Sequence, residues 1–454
     1  MSSISNVNVG GASAKRLKTE PMESPSWLLP KDLFRLILSS PQLQIEDLYS
    51  CRLVCKYWNQ LAEDNLLWRC IWERDFVTSF PKEKIDNAQE EYKRTFRICK
   101  NTRKGDYTCT VFQDQGFTRS CVFSNVKSQI ITAGFLNPAD ATCNIKVWNS
   151  TTKECEDVFE NFTKIDFILA LHTKNQVLIN LKRDRAIVQL DLETRQQTEV
   201  FKSIRAPNSI ILSRDDTFLV VIFNKPFPAP EPRYPIKIVN LTDSKCKTLE
   251  GHAEYIADFM LNSDQSQIVS AGEDGIIKFW EVSTGKLLRE IDQGARVSTF
   301  ALAENRLFSA TGSGKITIWD LQSGKNITFI ENSNLILSMS LSRSYKQLFS
   351  DSESEITIWN LGSDESTRIK KDSKTCAITL LLSDDEKCLI STNLDSTIRF
   401  WNLVNSTCSL AIKDCHFMGW SNNKLLTLDL DQKQFRLFDF DTQDVVPQEY
   451  TQTT

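Results

Sequence analysis

The sequence predicts two architectures in one chain, a small all-α segment near the N-terminus and a large all-β region filling the rest. Three observations carry this. Apolar residues between Trp27 and Phe76 recur at steps of three and four, the spacing of one helix face, in a stretch without glycine. From Gly105 onward, short runs of Ile, Val, Leu, Phe and Thr are separated by Asn, Asp, Gly and Ser, the punctuation of strands and turns. Within that region a five-residue pattern recurs about every forty residues, which marks a repeat architecture.

Composition bounds what such a chain does. Its 454 residues give room for two or three domains of roughly 150 residues each. The 54 basic against 58 acidic residues leave a net charge of −4, without the basic excess of a dedicated nucleic-acid binder. A hydrophobic content of 41% and 25% charged residues fit a globular protein. No run approaches the ~20 apolar residues that span a membrane. The first residues, MSSISNVNVG, lack the apolar stretch of a secretory signal, so the expected location is intracellular, with the thirteen cysteines reduced.

Residues 1–26 are rich in Ser, Asn, Gly and Pro and read as a disordered tail. Lys15-Arg16-Leu17-Lys18 within it reads equally as a nuclear-import cluster or as solvated charge, leaving cytoplasm and nucleus both open. Leu17-Lys18-Thr19-Glu20 also fits a SUMO-attachment pattern, and Ser24-Pro25 a proline-directed phosphosite.

Residues 27–76 form the α segment. Pro30 suits a first helical turn, and Leu33, Leu36 and Ile37 follow at helical spacing. Asp47-Leu48 opens a second stretch through Cys51 and Val54, and Trp58, Leu61 and Ala62 a third, with Leu67-Trp68 closing the unit. Three short helices make a core too small to stand comfortably alone. The ordered fragments Leu29-Pro30, Ile37-Leu38-Ser39, Asp47-Leu48, Leu53-Val54-Cys55, Trp58-Asn59 and Leu67-Trp68-Arg69 resemble an F-box, with a first interhelix stretch about two residues longer than usual. The resemblance implies docking on the adaptor of SCF ubiquitin ligases, and through it on cullin. It implies Leu29, Pro30, Leu33, Ile37, Leu38, Val54 and Trp58 as the adaptor-facing set, whereas Leu48, Leu61 and Trp68 read as the segment's own core.

Residues 77–104, containing NAQEEYKRTFRICKN, read as a helical linker. The repeats fill 105–454. IKVWN, IKFWE, ITIWD, ITIWN and IRFWN, with the degenerate IVQLD, IKIVN and FRLFD, place anchors at 148, 190, 239, 280, 319, 359, 401 and 438. This resembles the WD repeat, whose units are four-stranded blades of a β-propeller. Eight anchors favour eight blades, with DYTCTVFQ at 106–113 completing the last. Seven remain open if the Phe438 copy is only a closing strand.

The resemblance also assigns individual residues. His252, Ser270, Asp274 and Trp280 match the hydrogen-bonded set that stiffens a blade, and their spacing argues for structure over catalysis. In phosphodegron-reading relatives, arginines two residues before the anchor clamp phosphate. Here those positions hold Lys146, Lys278, Thr317, Thr357, Arg399 and Arg436. Arg119, Arg205 and Arg296 lie where the chain approaches an inner strand. A solvated surface charge is the competing reading of each cation. The five prolines 226, 228, 230, 232 and 235 predict a stiff loop over the same face.

No nucleotide, metalloprotease or hydrolase motif appears, and no metal or cofactor is expected. The sequence therefore reads as the non-catalytic substrate receptor of an SCF-type ligase, binding a protein substrate, phosphorylated or not. A non-ligase interaction scaffold and a bacterial effector acting in a host cell are the alternatives.

Overall fold

The computed structural model describes residues 67–68 and, with short breaks in loops and turns, 88–441. The longer breaks fall at 136–141, 224–233 and 430–433. Of the first of two units into which the chain divides, the described residues are Leu67, Trp68, Ala88 and Gln89. Leu67 and Trp68 are helical and buried. The adaptor-facing residues Leu29, Pro30, Leu33, Ile37, Leu38, Val54 and Trp58 lie outside the described residues, as do four of the five loop prolines.

The described residues of the second unit form thirty-two strands in eight four-stranded antiparallel sheets. Seven sheets use consecutive strands and form blades 1–7, at 117–162, 165–202, 209–252, 256–292, 297–331, 336–370 and 377–412. Blade 8 takes three strands from 415–439 and its outermost from Thr108–Gln113, which pairs with Gln434–Asp439 in register from Thr108↔Asp439 to Gln113↔Gln434. The propeller therefore has eight blades, and Phe438 anchors a full one.

A four-stranded sheet with both faces apolar must bury both, and a ring of blades does so without leaving an open end. Eight apolar clusters fill the eight junctions between neighbouring blades. The junction of blade 8 with blade 1 packs Phe112 of the closing strand against Phe435, with ring centroids 4.6 Å apart, and against Trp148 at 6.2 Å.

Helix α1 (Ala88–Lys104) precedes the closing strand. Arg94 Nε and Arg97 Nη2 each donate to one oxygen of Asp441 at 2.5 Å, and Asn101 Nδ2 donates to the Phe440 carbonyl at 2.9 Å. Ile98 enters the apolar cluster shared by blades 7 and 8. Burial disfavours the Asp441 carboxylate, but the two guanidinium groups outweigh it and hold its pKa below the ordinary value.

Each anchor tryptophan on a third strand donates its indole N–H to a hydroxyl on the second strand. The pairs are Trp148–Thr132, Trp280–Ser270, Trp319–Ser309, Trp359–Ser350 and Trp401–Ser391, at 2.8–3.0 Å. The degenerate anchors Leu190, Val239 and Phe438 fill the same place as fully buried apolar side chains.

Blade 4 extends the pair into a chain. Ser270 Oγ accepts from Trp280 and lies 2.8 Å from His252 Nε2, while His252 Nδ1 lies 2.9 Å from Asp274 Oδ2. With the Nδ1–H facing the carboxylate, the Ser270 hydroxyl donates to Nε2, so both imidazole nitrogens and the indole N–H have a partner. Asp274 also accepts the amides of Ala253 and Ile276, both at 3.1 Å. Gly272 is required beside it, because a Cβ there would lie 2.4 Å from Asp274 Oδ1 and 2.8 Å from His252 Nδ1. In blade 5, Gln293 takes the histidine's place: its Oε1 accepts from Ser309 Oγ at 2.6 Å and from Trp319 at 3.2 Å.

Two stability outcomes follow from these contacts. Phe112→Ala is expected to cost about 3–5 kcal/mol, because it empties the closing junction. Ser270→Ala is expected to cost about 1–3 kcal/mol by leaving the Trp280 and His252 ring nitrogens buried without their partner. Chemical denaturation of both variants beside the wild type checks each value, and an unchanged midpoint for Phe112→Ala would remove ring closure as the determinant of stability.

Candidate binding face of the propeller

Antiparallel order puts the segments leading into the inner strands and the turns between second and third strands at one end of every blade. Most of the cations singled out in the sequence lie on or near this upper face, and six of the seven are engaged by carboxylates. Lys146 pairs with Asp114, its ammonium also 6.0 Å from the Trp148 ring. Arg119 meets Asp166 at 2.8 Å, and Lys182 meets the same carboxylate at 3.3 Å. Lys278, almost wholly buried, meets Glu290 at 2.6 Å, and Arg296 pairs with Glu273. Arg399 meets Asp395 at 2.9 Å, and Arg436 meets Asp429 at 2.6 Å. Arg205 is exposed and makes no ion pair among the described residues. Thr317 and Thr357 are buried.

The structure thus joins Arg119, Asp166 and Lys182 in one cluster across blades 1 and 2, and distributes the other pairs blade by blade. A ring of ion pairs is nearly neutral at a distance. A phosphate arriving here exchanges with a resident carboxylate instead of entering a positive funnel.

A second feature of the face is apolar. The inner strands of blades 1, 2, 4, 5, 6 and 7 carry a β-bulge near their start, which leaves one residue without a cross-strand partner. In blades 1 and 2 that residue is Arg119 and Asp166. In blades 6 and 7 it is Leu337, 36% exposed, and Ile378, 60% exposed. Leu335 lies just ahead of the first, 43% exposed. Leu394, 61% exposed, hydrogen-bonds through its amide to the Cys376 carbonyl beside the second. The inner strands of blades 6 and 7 are in contact, so the four side chains share one sector.

Sequence reading missed this quartet. The alternation of ILSMSL at 336–341 and AITLLL at 377–382 assigns Leu337 and Ile378 to no particular face until the bulge shifts the register.

A buried ion pair supports the sector from below. Lys371 Nζ lies 3.0 Å from both oxygens of Asp351, both side chains are fully buried, and Asp351 Oδ2 accepts the Ala377 amide at 2.6 Å. Burial pushes the Asp351 carboxyl up, and Lys371 with the Ala377 amide offsets that only in part. The pair ties the segment 371–377 to the second strand of blade 6. Desolvated charges contribute little net stability but strongly disfavour alternative arrangements of the segment that holds them.

Among the described residues no group of three or more His, Cys, Asp or Glu side chains is placed to hold a metal ion, and no helix is long and apolar enough to cross a membrane. The nearest approach to a catalytic constellation, Ser270–His252–Asp274, has its serine hydroxyl buried and engaged by Trp280.

Comparison with known proteins agrees with this architecture. A family model described as F-box-like matches residues 26–74, and one described as WD domain, G-beta repeat, matches 243–281, which contains His252, Ser270, Asp274 and Trp280. The chain is 22% identical over 280 residues to the anaphase-promoting complex subunit cdc20 of Dictyostelium discoideum, covering 57% of this chain and 53% of that protein. It is 25% identical over 176 residues to the APC/C activator protein CDH1 of Saccharomyces cerevisiae, covering 37% and 31%. It is 36% identical over 90 residues to the small ribosomal subunit protein RACK1y of Oryza sativa, covering 19% and 27%. The matches span between about a quarter and about half of these relatives' length. Among solved structures, the computationally designed Ika8 protein matches with a TM-score of 0.55 at 16% identity, covering 72% of this chain and 97% of that one, a likeness of fold alone. With an F-box-like segment ahead of an eight-bladed propeller of WD repeats, the chain is an F-box/WD-repeat protein.

Proposed function

We propose that the chain is the substrate-recognition subunit of an SCF-type ubiquitin ligase. The observation that carries the reading is the pairing, in one chain, of an F-box-like segment at 26–74 with a closed propeller whose upper face exposes an apolar sector. The F-box docks the SCF adaptor, and through it cullin, using Leu29, Pro30, Leu33, Ile37, Leu38, Val54 and Trp58. The propeller holds the protein to be ubiquitinated. Such a receptor forms and breaks no bonds; it raises the effective concentration of a substrate lysine near a charged conjugating enzyme.

Substrate capture on the upper face uses Leu335, Leu337, Ile378 and Leu394 as its apolar contact. Arg119, Lys146, Arg205, Lys278, Arg296, Arg399 and Arg436 form the charged border. Apolar burial rewards contact without first breaking an ion pair, whereas phosphate recognition by the paired cations requires that exchange. The location of the complex follows its partners, in cytoplasm or nucleus.

Two measurements test the reading. In a pull-down of purified chain with the SCF adaptor, wild type is expected to bind stoichiometrically and Leu29→Ala/Pro30→Ala to lose binding. Absence of binding by folded wild type would sink the ligase reading and leave a non-ligase scaffold. In cells lacking the chain, proteins that accumulate are expected to return to baseline with wild type but not with Ile378→Asp/Leu394→Asp, which retains the adaptor. Full rescue by that variant would move capture away from blades 6 and 7.

A further inference from the structure

The opposite face of the propeller carries a groove of about 830 Å³ between blades 4 and 5. The turns between inner and second strands form this face, and α1 lies against it three blades away round the ring. The groove's wall is apolar at Met260, Phe279, Leu302 and Leu321, and its two charged lining residues are Arg214 and Arg289. Among the described residues, no Asp or Glu lines it.

The Arg289 guanidinium stacks 4.0 Å from the Phe279 ring centroid, and its Nη1 donates to the Leu321 carbonyl. Arg214 donates through Nη1 to the Ser263 carbonyl at 3.4 Å. Neither forms an ion pair among the described residues. Asp320 lies close enough to influence Arg289, but its Oδ1 accepts the Ser323 amide and hydroxyl at 2.6 and 2.8 Å. The contrast with the upper face is chemical. There, six of seven cations have a carboxylate; here two arginines share a groove without one among the described residues, in a chain of net charge −4.

A guanidinium held by stacking has lost much of its side-chain freedom already, so little more is lost when its remaining N–H groups meet an anion. The apolar wall beside the two charges adds contact area that a lone ion does not use. We propose that this groove binds a peptide segment of a partner protein in which an anionic side chain stands next to apolar ones. The anion is held by Arg214 and Arg289, and the apolar side chains rest on Met260, Phe279, Leu302 and Leu321. The inference is independent of the upper face and of the F-box.

The test is an array of octapeptides that place Glu or phosphoserine among Leu, Val and Phe, probed with the full-length chain beside a matched array carrying Lys at the anionic positions. Wild type is expected to retain a subset of the anionic peptides and none of the Lys set, with binding weakened by added salt. The Glu and phosphoserine arms identify which anion is read. Arg214→Ala/Arg289→Gln is expected to weaken the retained peptides by about tenfold or more. Leu288→Asp adds a carboxylate at an exposed lining position, leaves the stacked arginine intact and is expected to weaken them similarly. Thermal melts confirm that the variants are folded. Retention of no anionic peptide, or binding unchanged in a folded Leu288→Asp variant, overturns the proposal.

Discussion

Pairing of Thr108–Gln113 with Gln434–Asp439 joins two ends of the chain that lie more than three hundred residues apart, and the rest of the propeller depends on it. Each blade is apolar on both faces and finds its partners only in the two neighbouring blades. An unclosed ring would leave Phe112, Ile130, Trp148, Leu426 and Phe435 facing water. Closure turns eight pairwise contacts into a cycle in which every junction is supported from both sides. Helix α1 adds a second tie close to the same place, through Asp441, Phe440 and the apolar cluster of blades 7 and 8.

Within the blades, the repeated Trp–hydroxyl bond explains why a five-residue pattern survives while the sequence around it diverges. An indole N–H buried between strands needs an acceptor, and a Ser or Thr on the adjoining strand supplies one at fixed register. Where the anchor is Leu190, Val239 or Phe438, no donor is present and no acceptor is needed. Gln293 shows the same economy: an amide oxygen accepts from serine and tryptophan together, where blade 4 places an imidazole.

The two faces then differ in how their charges are satisfied. On the upper face all but one of the cations singled out in the sequence meet carboxylates, and the apolar sector of blades 6 and 7 lies beside the buried Lys371–Asp351 pair. On the lower face, Arg214 and Arg289 are held by backbone carbonyls and an aromatic ring, interactions that fix a guanidinium without neutralising it.

Sequence alone determined the repeat, the position of its anchors and the segment whose strand Thr108–Gln113 closes the ring, because strand period, turn residues and a buried Trp leave a local signature in the order of residues. The F-box-like segment at 26–74 was legible from the order of its short apolar fragments. His252, Ser270, Asp274 and Trp280 were legible as a set because their spacing follows from blade geometry. Tertiary structure decided the rest. A carboxylate partner such as Asp166 for Arg119 or Glu273 for Arg296 comes from a different turn or blade, and no local pattern encodes that meeting. The exposure of Leu337 and Ile378 depends on a bulge that shifts side-chain parity by one residue. The groove at Arg214 and Arg289 exists only because blades 3 and 4 deliver two arginines, seventy-five residues apart in the chain, to the same opening.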